Sequence, residues 1–184
     1  MDRFLDCYKI ESARRNNWNY SSPGIYFITI CTVHHNNFFG KIFDNKIVLS
    51  SRGLIANQCI IEITKHFSDI NLLEFVVMPN HVHLLLEIIK PLPNIVETHH
   101  DASLTKKYQS YFHHRIAKKS TQIIPLVIKQ YKSAVTKLIN PKTCFFGWQS
   151  RYYDEIIEDE KRFLTIKYYI KNNPKNWDKD KLFN

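Results

Sequence analysis

The sequence predicts an α+β domain, and three observations lead to this fold class. Four short runs are dense in β-branched, aromatic and other apolar residues, as buried strands are. Two longer segments repeat apolar residues at helical spacing, and the order along the chain is strand, helix, strand, strand, helix, strand. The chain has 184 residues, of which 44% are hydrophobic, so it can bury one core of ordinary size. We therefore expect a single domain, residues 1–184, with a ferredoxin-like antiparallel sheet and two helices on one face.

The N-terminal quarter of the chain supplies the first strand and a ribbon outside the basic plan. Residues 1–22 are polar and basic, which is typical of an arm or a short segment before the first strand. Residues 25–32 are dense in β-branched and aromatic side chains and predict a central strand. Residues 38–49 predict a two-stranded ribbon that turns at Asp44 and Asn45.

The first helix and the two middle strands follow the ribbon. Ser50 or Ser51 is expected to cap a helix whose apolar residues recur at helical spacing. Residues 70–78 and 81–89 are two apolar runs, separated only by a Pro-Asn pair that suits a turn or bulge. These runs are therefore expected to form adjacent antiparallel strands.

The C-terminal half supplies the second helix, the fourth strand and one additional helix. Residues 90–121 contain prolines and histidine pairs without clear periodicity, and we expect a flexible insertion. Residues 123–139 carry an apolar stripe at helical spacing. The second half of 145–157 predicts a strand, and a last helix is expected to begin at Glu158 or Asp159. We expect this last helix to cover the face of the sheet opposite the other two helices.

Composition indicates the kind of partner and the compartment. The net charge is +9 and 14% of the residues are aromatic, which suits a polyanion with unpaired bases. No apolar run reaches the ~18 residues of a membrane helix, and no secretion signal is visible, so we expect a cytoplasmic protein without a membrane partner. The four cysteines form no CxxC pair, which favours reduced thiols over a zinc cluster or a disulfide framework.

Two histidines at the start of the third strand are candidate metal ligands. His81 and His83 are two positions apart, so on a strand both side chains point to the same face. Imidazole is a common ligand of divalent ions, but two imidazoles alone hold such an ion weakly. The pattern therefore requires another ligand from elsewhere in the chain.

The last helix offers such a ligand and a nucleophile. Tyr169 and Asn173 are four positions apart and lie on one face of a helix that Pro174 is expected to stop. If this helix packs over the face that bears His81 and His83, the Asn173 carbonyl oxygen can join them around Mg²⁺ or Mn²⁺. The Tyr169 hydroxyl would then lie beside the ion and could attack a phosphate. The alternative is structural, with a core aromatic residue and a C-terminal helix cap.

Several stretches form one joint pattern: residues 26–32, 77–86, 148–157 and 169–177. This pattern resembles the single-tyrosine HUH transposases, in the branch of the REP-associated tyrosine transposases. The resemblance implies a ferredoxin-like fold, a divalent ion (Mg²⁺ or Mn²⁺) held by His81, His83 and Asn173, and Tyr169 as nucleophile. It also implies a substrate of single-stranded DNA folded into imperfect hairpins, cut to leave a 5′-phosphotyrosine and a free 3′-OH.

Basic and aromatic residues outside this centre are candidates for DNA contacts. Basic side chains neutralise phosphates, and an aromatic ring can stack on a base. We expect such contacts from Arg14, Arg15, Lys129, Lys132, Trp148 and Arg151. For Trp148, packing in the core is an equally good interpretation.

Two other functions fit the same features. A basic ferredoxin-like domain can bind nucleic acid without cutting it, and a metal-dependent hydrolase can use water instead of the phenol. A covalent adduct between protein and DNA would separate the transposase from both. The sequence leaves open whether the chain is a monomer or a homodimer.

Overall fold

The computed structural model describes residues 18–89, 122–139 and 145–183, together with the backbone of two short paired strands, β1 (Arg3–Phe4) and β2 (Cys7–Tyr8). The expected insertion at 90–121 lies outside the described residues, as do Arg14 and Arg15. The next elements are β3 (Gly24–Cys31), β4 (Gly40–Phe43), β5 (Lys46–Leu49), α1 (Ser51–Ile61), α2 (Ile63–His66), β6 (Ile70–Val77), β7 (His81–Ile88), α3 (Ile123–Ile139), β8 (Tyr153–Ile157) and α4 (Glu160–Asn172). There are also two 3-10 helices in the described residues: Val33–His35, between β3 and β4, and Asn173–Lys179, after α4.

The central sheet has four strands in the order β6-β7-β3-β8, and all neighbours are antiparallel. Without the ribbon and the last helix, the chain order is βαββαβ, as predicted. The predicted α+β class with a ferredoxin-like antiparallel sheet is therefore confirmed. The two middle strands, β7 and β3, have eight residues each and are paired with a neighbouring strand along both edges.

The larger core lies between the sheet and the helices α1 and α3. Val82, Leu84 and Leu86 of β7 point to this side and are fully buried. From α3, the side chains of Ile124, Val127, Ile128, Tyr131 and Val135 form the predicted stripe and pack onto it. Burial of each such side chain contributes about 1.5–3 kcal/mol, so this layer supplies most of the stability.

The ribbon and the first helix have the expected local signals. Asp44 and Asn45 both have positive φ, 49° and 57°, which is the conformation of a tight two-residue hairpin between β4 and β5. Ser50 caps α1, because its hydroxyl accepts a hydrogen bond from the backbone N–H of Gly53 at 3.1 Å.

The last helix, α4, crosses the opposite face of the sheet and contacts both edge strands, β6 and β8. Ile166 and Ile170 are buried against Phe27, Leu85 and Ile157 in a second, smaller core. Ion pairs link the two ends of the helix to the sheet, Arg162 to Glu155 at 2.7 Å and Lys171 to Glu74 at 3.4 Å.

The last α-helix ends just before Pro174, as expected, and the chain beyond it winds on in a 3-10 helix. The α-helix ends at Asn172, with Asp159 as its N-cap, and the chain continues as the 3-10 helix Asn173–Lys179. Pro174 fits there because the first turn of a helix needs no N–H donor. In the described part of the chain, no helix is long and apolar enough to span a membrane.

Candidate active site

The two histidines of β7 lie side by side on the face that α4 covers. His81 is paired with Cys31 and His83 with Thr29 across the β7-β3 ladder, so both imidazoles stand on the two central strands. Their Nε2 atoms are 3.0 Å apart and face each other. Both rings are almost completely buried, with exposed fractions of 0% and 2%.

Asn80 fixes the orientation and tautomer of His81. The Asn80 side-chain amide donates to the carbonyl oxygen of Leu182 at 2.7 Å, which turns its Oδ1 toward Nδ1 of His81, 2.8 Å away. Because a carboxamide oxygen only accepts hydrogen bonds, Nδ1 carries the proton. The Nε2 atom of the neutral ring therefore presents a lone pair to His83.

His83 is oriented by Thr29 and kept neutral by burial. Its Nδ1 lies 2.8 Å from the Thr29 hydroxyl, and this hydrogen bond holds the ring with Nε2 toward the centre. Burial lowers the pKa of His83 well below its ordinary value, and the neighbouring His81 lowers it further. Burial also lowers the pKa of His81 to about 4, against the opposing effect of Asp180. Both imidazoles are therefore neutral at neutral pH.

The helix α4 brings Tyr169 to this pair. The phenol oxygen lies 3.3 Å from Nε2 of His83 and 3.0 Å from Oδ2 of Asp180. The ring of Phe27 packs against both His83 and Tyr169, with centroid distances of 5.2 and 6.2 Å. Burial raises the pKa of Tyr169, and the charge of Asp180 adds to this effect. Tyr169 is 39% exposed as a residue, so an external group can reach it from the solvent side.

Asn173 is the C-cap of α4 and turns its side chain into the same centre. Its exposed fraction is 1%, and its Nδ2 donates to Oδ2 of Asp180 at 2.8 Å. Its Oδ1 is buried and has no hydrogen-bond partner among the described residues. A buried carbonyl oxygen without a partner costs about 1–3 kcal/mol, which an oxygen-binding cation would recover.

Asp180 completes the centre, and the sequence analysis missed it. Suitable ligand atoms of His81, His83 and Asp180 all lie within 4.8 Å of one another. Asp180 follows the 3-10 helix, outside any periodic element, so no spacing connected it with the histidines. The only sequence signal was an acidic residue in a basic C-terminal tail.

A groove of about 770 Å³ opens beside Tyr169 and runs along β8 and α4. His83, Tyr169 and Asn173 line its inner end. The rest of the lining includes the basic side chains of Arg151, Arg162, Lys179 and Lys181 and the rings of Tyr152 and Tyr153, together with the acidic Glu155 and Asp180 and several apolar and neutral residues. The groove therefore has the charge and the aromatic surface that suit a single nucleic-acid strand.

The expected DNA contacts are distributed unevenly around this groove. Arg151 lines it, whereas Lys129 is exposed on α3, the helix on the other face of the sheet. The ammonium of Lys132 donates to the carbonyl oxygens of Gln149 and Arg151, at 2.8 and 3.1 Å. Burial lowers the pKa of Lys132 to about 8, partly offset by Cys31.

Trp148 lies in an aromatic cluster that belongs to the larger core. Its ring packs against Phe39, Tyr131 and Phe146, with centroid distances of 5.3, 5.7 and 5.2 Å. Its indole N–H donates to the carbonyl oxygen of Lys132 at 3.2 Å. These contacts favour the packing interpretation of Trp148, and its contact with DNA stays a prediction.

Comparison with known proteins finds similar proteins that cover most of the chain. An uncharacterized protein from Haemophilus influenzae is 35% identical over 173 residues, which are 94% of this chain and 92% of that protein. A REP-associated tyrosine transposase, solved bound to a REP hairpin, superimposes with a TM-score of 0.57 at 14% identity, over 91% of this chain and 74% of the other. No protein-family model matches. The chain therefore belongs to the family of the Haemophilus influenzae protein and has the fold of a REP-associated tyrosine transposase.

Proposed function

We propose that this protein is a metal-dependent DNA transposase that cuts and rejoins single-stranded, hairpin-forming DNA through a 5′-phosphotyrosine. The observation that carries this proposal is the 3.3 Å distance between the phenol oxygen of Tyr169 and Nε2 of His83. A nucleophile, two neutral imidazoles and a buried amide oxygen without a partner meet at the end of a groove with basic and aromatic walls. If Tyr169 were only a core aromatic residue, its hydroxyl would not need to lie beside two imidazoles and a buried amide oxygen.

Tyr169 is the nucleophile in this proposal. Its oxygen attacks the phosphorus of a phosphodiester, a Tyr169 O–P bond forms, and the bond from phosphorus to the 3′-oxygen breaks. The phenol proton passes to solvent water, and the 3′-oxygen takes up a proton from water to become a free 3′-OH. The phosphotyrosine keeps the energy of the broken ester, so attack by a 3′-OH can rejoin a strand without another energy source. This property suits strand transfer better than hydrolysis.

The donor atoms present fit a divalent ion. His81 and His83 would hold it through Nε2, and Asn173 through the Oδ1 that has no other partner. The carboxylate of Asp180 is close enough to contribute a further oxygen. Such an ion, when bound, supplies a Lewis acid that draws charge from a non-bridging phosphate oxygen. The carbonyl and carboxylate oxygens of this set are the donors that suit Mn²⁺ or Mg²⁺.

Hairpin DNA is proposed as the substrate because of the fold and the groove. The solved relative in fold was bound to a REP hairpin. In this chain, the groove lined by Arg151, Arg162, Lys179 and Lys181 can hold the single strand next to Tyr169. The net charge of +9 favours binding of any polyanion, so charge supports DNA binding without selecting the hairpin.

The test uses the purified chain with end-labelled single-stranded oligonucleotides. One set carries the imperfect palindromes next to its own reading frame, and a second set carries hairpins with randomised single-stranded flanks. With Mn²⁺ or Mg²⁺, we expect an SDS-resistant protein–DNA adduct and a released fragment that ends in 3′-OH. Chelation of the metal should prevent both.

Two results would contradict the proposal. Binding of both oligonucleotide sets without adduct or cleavage would leave a nucleic-acid-binding module. Cleavage without any protein-bound fragment would indicate a hydrolase that activates water at the same metal site.

A further inference from the structure

One carboxylate oxygen binds both the nucleophile and the amide ligand. Oδ2 of Asp180 accepts a hydrogen bond from the Tyr169 hydroxyl at 3.0 Å and another from Nδ2 of Asn173 at 2.8 Å. Tyr169 lies in the last turn of α4 and Asn173 is the C-cap of that helix, so the two donors are four residues apart on one face. A single acceptor therefore fixes two side chains that the proposed reaction requires.

These two hydrogen bonds determine which atoms face the imidazoles. The phenol has one proton, and while that proton is held by Asp180 it cannot occupy the lone pair of Nε2 of His83, only 3.3 Å away. The amide of Asn173 has two ends, and because Nδ2 is held by Asp180, the acceptor Oδ1 remains without a partner in the buried centre. Asp180 thus keeps three metal-binding or nucleophilic atoms available.

The carboxylate itself is held by the tail of the chain. Its Oδ1 accepts from the backbone N–H of Leu182 at 2.7 Å, and the carbonyl oxygen of Leu182 accepts from Asn80 at 2.7 Å. Phe183 packs against Trp177, and Trp177 packs against the ring of His81, with centroid distances of 5.4 and 5.9 Å. The tail is therefore tied to the first residues of β7, and Asp180 is a fixed part of the centre.

We infer that Asp180 is a positioning residue for this centre: its carboxylate holds the Tyr169 hydroxyl and the Asn173 amide so that their lone pairs face the imidazole pair. The inference rests on the proposed function. This role differs from that of a metal ligand. The two hydrogen bonds need only an acceptor oxygen on residue 180, whereas a carboxylate ligand would also contribute its negative charge to the ion.

The test compares Asp180→Ala, Asp180→Asn and the control Asp178→Ala, which removes an exposed carboxylate from the same segment. Two quantities are measured on the full chain, Mn²⁺ affinity by titration calorimetry without DNA, and the rate of adduct formation at saturating hairpin oligonucleotide. Asp180→Ala should lose roughly 10–100-fold in both, as removal of groups behind metal ligands does, with unchanged DNA affinity. Asp180→Asn can keep an acceptor oxygen toward Tyr169 and Asn173 while it loses the one toward Leu182, so both quantities should lie clearly closer to wild type than those of Asp180→Ala. Asp178→Ala should match wild type.

Each other outcome decides against the inference. Asp180→Ala with wild-type Mn²⁺ affinity and adduct rate would show that Asp180 positions nothing. Asp180→Asn as defective as Asp180→Ala would show that the charge matters, as in a metal ligand. Thermal unfolding of each variant shows whether it is folded. If Asp180→Ala is not folded, the comparison of Asp180→Asn with wild type tests the inference. If wild type itself forms no adduct, the proposed function fails, while the Mn²⁺ titrations still test the positioning of Asn173.

Discussion

The phenol oxygen of Tyr169 lies 3.3 Å from Nε2 of His83, although 86 residues separate them in the chain. The contact exists because Ile166 and Ile170 dock α4 onto the sheet face where His83 stands. Tyr169 lies one turn from Ile166 and therefore at the edge of this docked face. The position of this phenol beside His83 thus depends on apolar packing between α4 and the sheet.

Replacement of His81 should remove metal binding. Excess Mn²⁺ at about 100 times its dissociation constant stabilises a protein by about 2.7 kcal/mol, so it should raise the melting temperature of the wild type by several degrees. His81→Ala should show little or no such rise, because it removes one of the two facing imidazoles. His34→Asn is the control, since His34 is exposed and its φ of 52° tolerates asparagine. An equal rise in His81→Ala would place the ion elsewhere.

Asn80 should matter for metal affinity although it is not a proposed ligand. Asn80→Ala removes the acceptor that holds the proton on Nδ1 of His81, so Nε2 is no longer fixed as the free donor. We expect Mn²⁺ affinity to fall about 10–100-fold, measured by titration calorimetry. Asn71→Ala, at an exposed asparagine of β6, should leave the affinity unchanged. Equal affinities in the two variants would contradict this role.

The sequence predicted the elements well because their signals are local. The turn at Asp44-Asn45, the Ser50 cap and the helix over 123–139 depend on residues close together in the chain, and each lies where it was expected. The order of these elements then sufficed for the sheet topology, because few arrangements satisfy βαββαβ connections.

The centre was only partly predictable for the same physical reason. The pairing of His81 with His83 follows from strand geometry, and the placement of Tyr169 with Asn173 follows from helix geometry. Asp180 and Thr29 have no periodic relation to the histidines, because tertiary packing alone brings them together. The contacts of Lys132 are likewise invisible in the sequence. Its basic side chain was expected to contact DNA, and in the structure it donates to two backbone carbonyl groups.

Stability should fall at high pH because of Cys59. Burial, followed by the charge of Glu62, raises the pKa of this thiol to about 12 from an ordinary value of 9. The unfolded thiol loses its proton above pH 9 while the folded thiol keeps it, so stability from this group is lost as pH rises from 9 toward 12. We expect a loss of about 1.4 kcal/mol per pH unit in urea unfolding. Cys59→Ala should show a smaller slope, and an equal slope would contradict the assignment.

Two substitutions near the groove should separate DNA binding from packing. Arg151→Ala should weaken binding of single-stranded DNA and reduce the slope of log K against log salt by about 0.7–1. Trp148→Ala should instead cost about 3 kcal/mol in unfolding free energy, because it empties part of an aromatic cluster. Fluorescence anisotropy across a salt series and urea unfolding measure the two effects. Loss of DNA affinity in the folded Trp148→Ala variant would support base stacking.

The most direct measurement is the identity of the residue that becomes linked to DNA. Mass spectrometry of the digested adduct should find the nucleotide on Tyr169. Tyr169→Phe should form no adduct while it still binds the hairpin, and Tyr168→Phe, which changes the exposed neighbouring phenol, should react like the wild type. An adduct that persists in Tyr169→Phe, or one that maps to another residue, would contradict the assignment of the nucleophile.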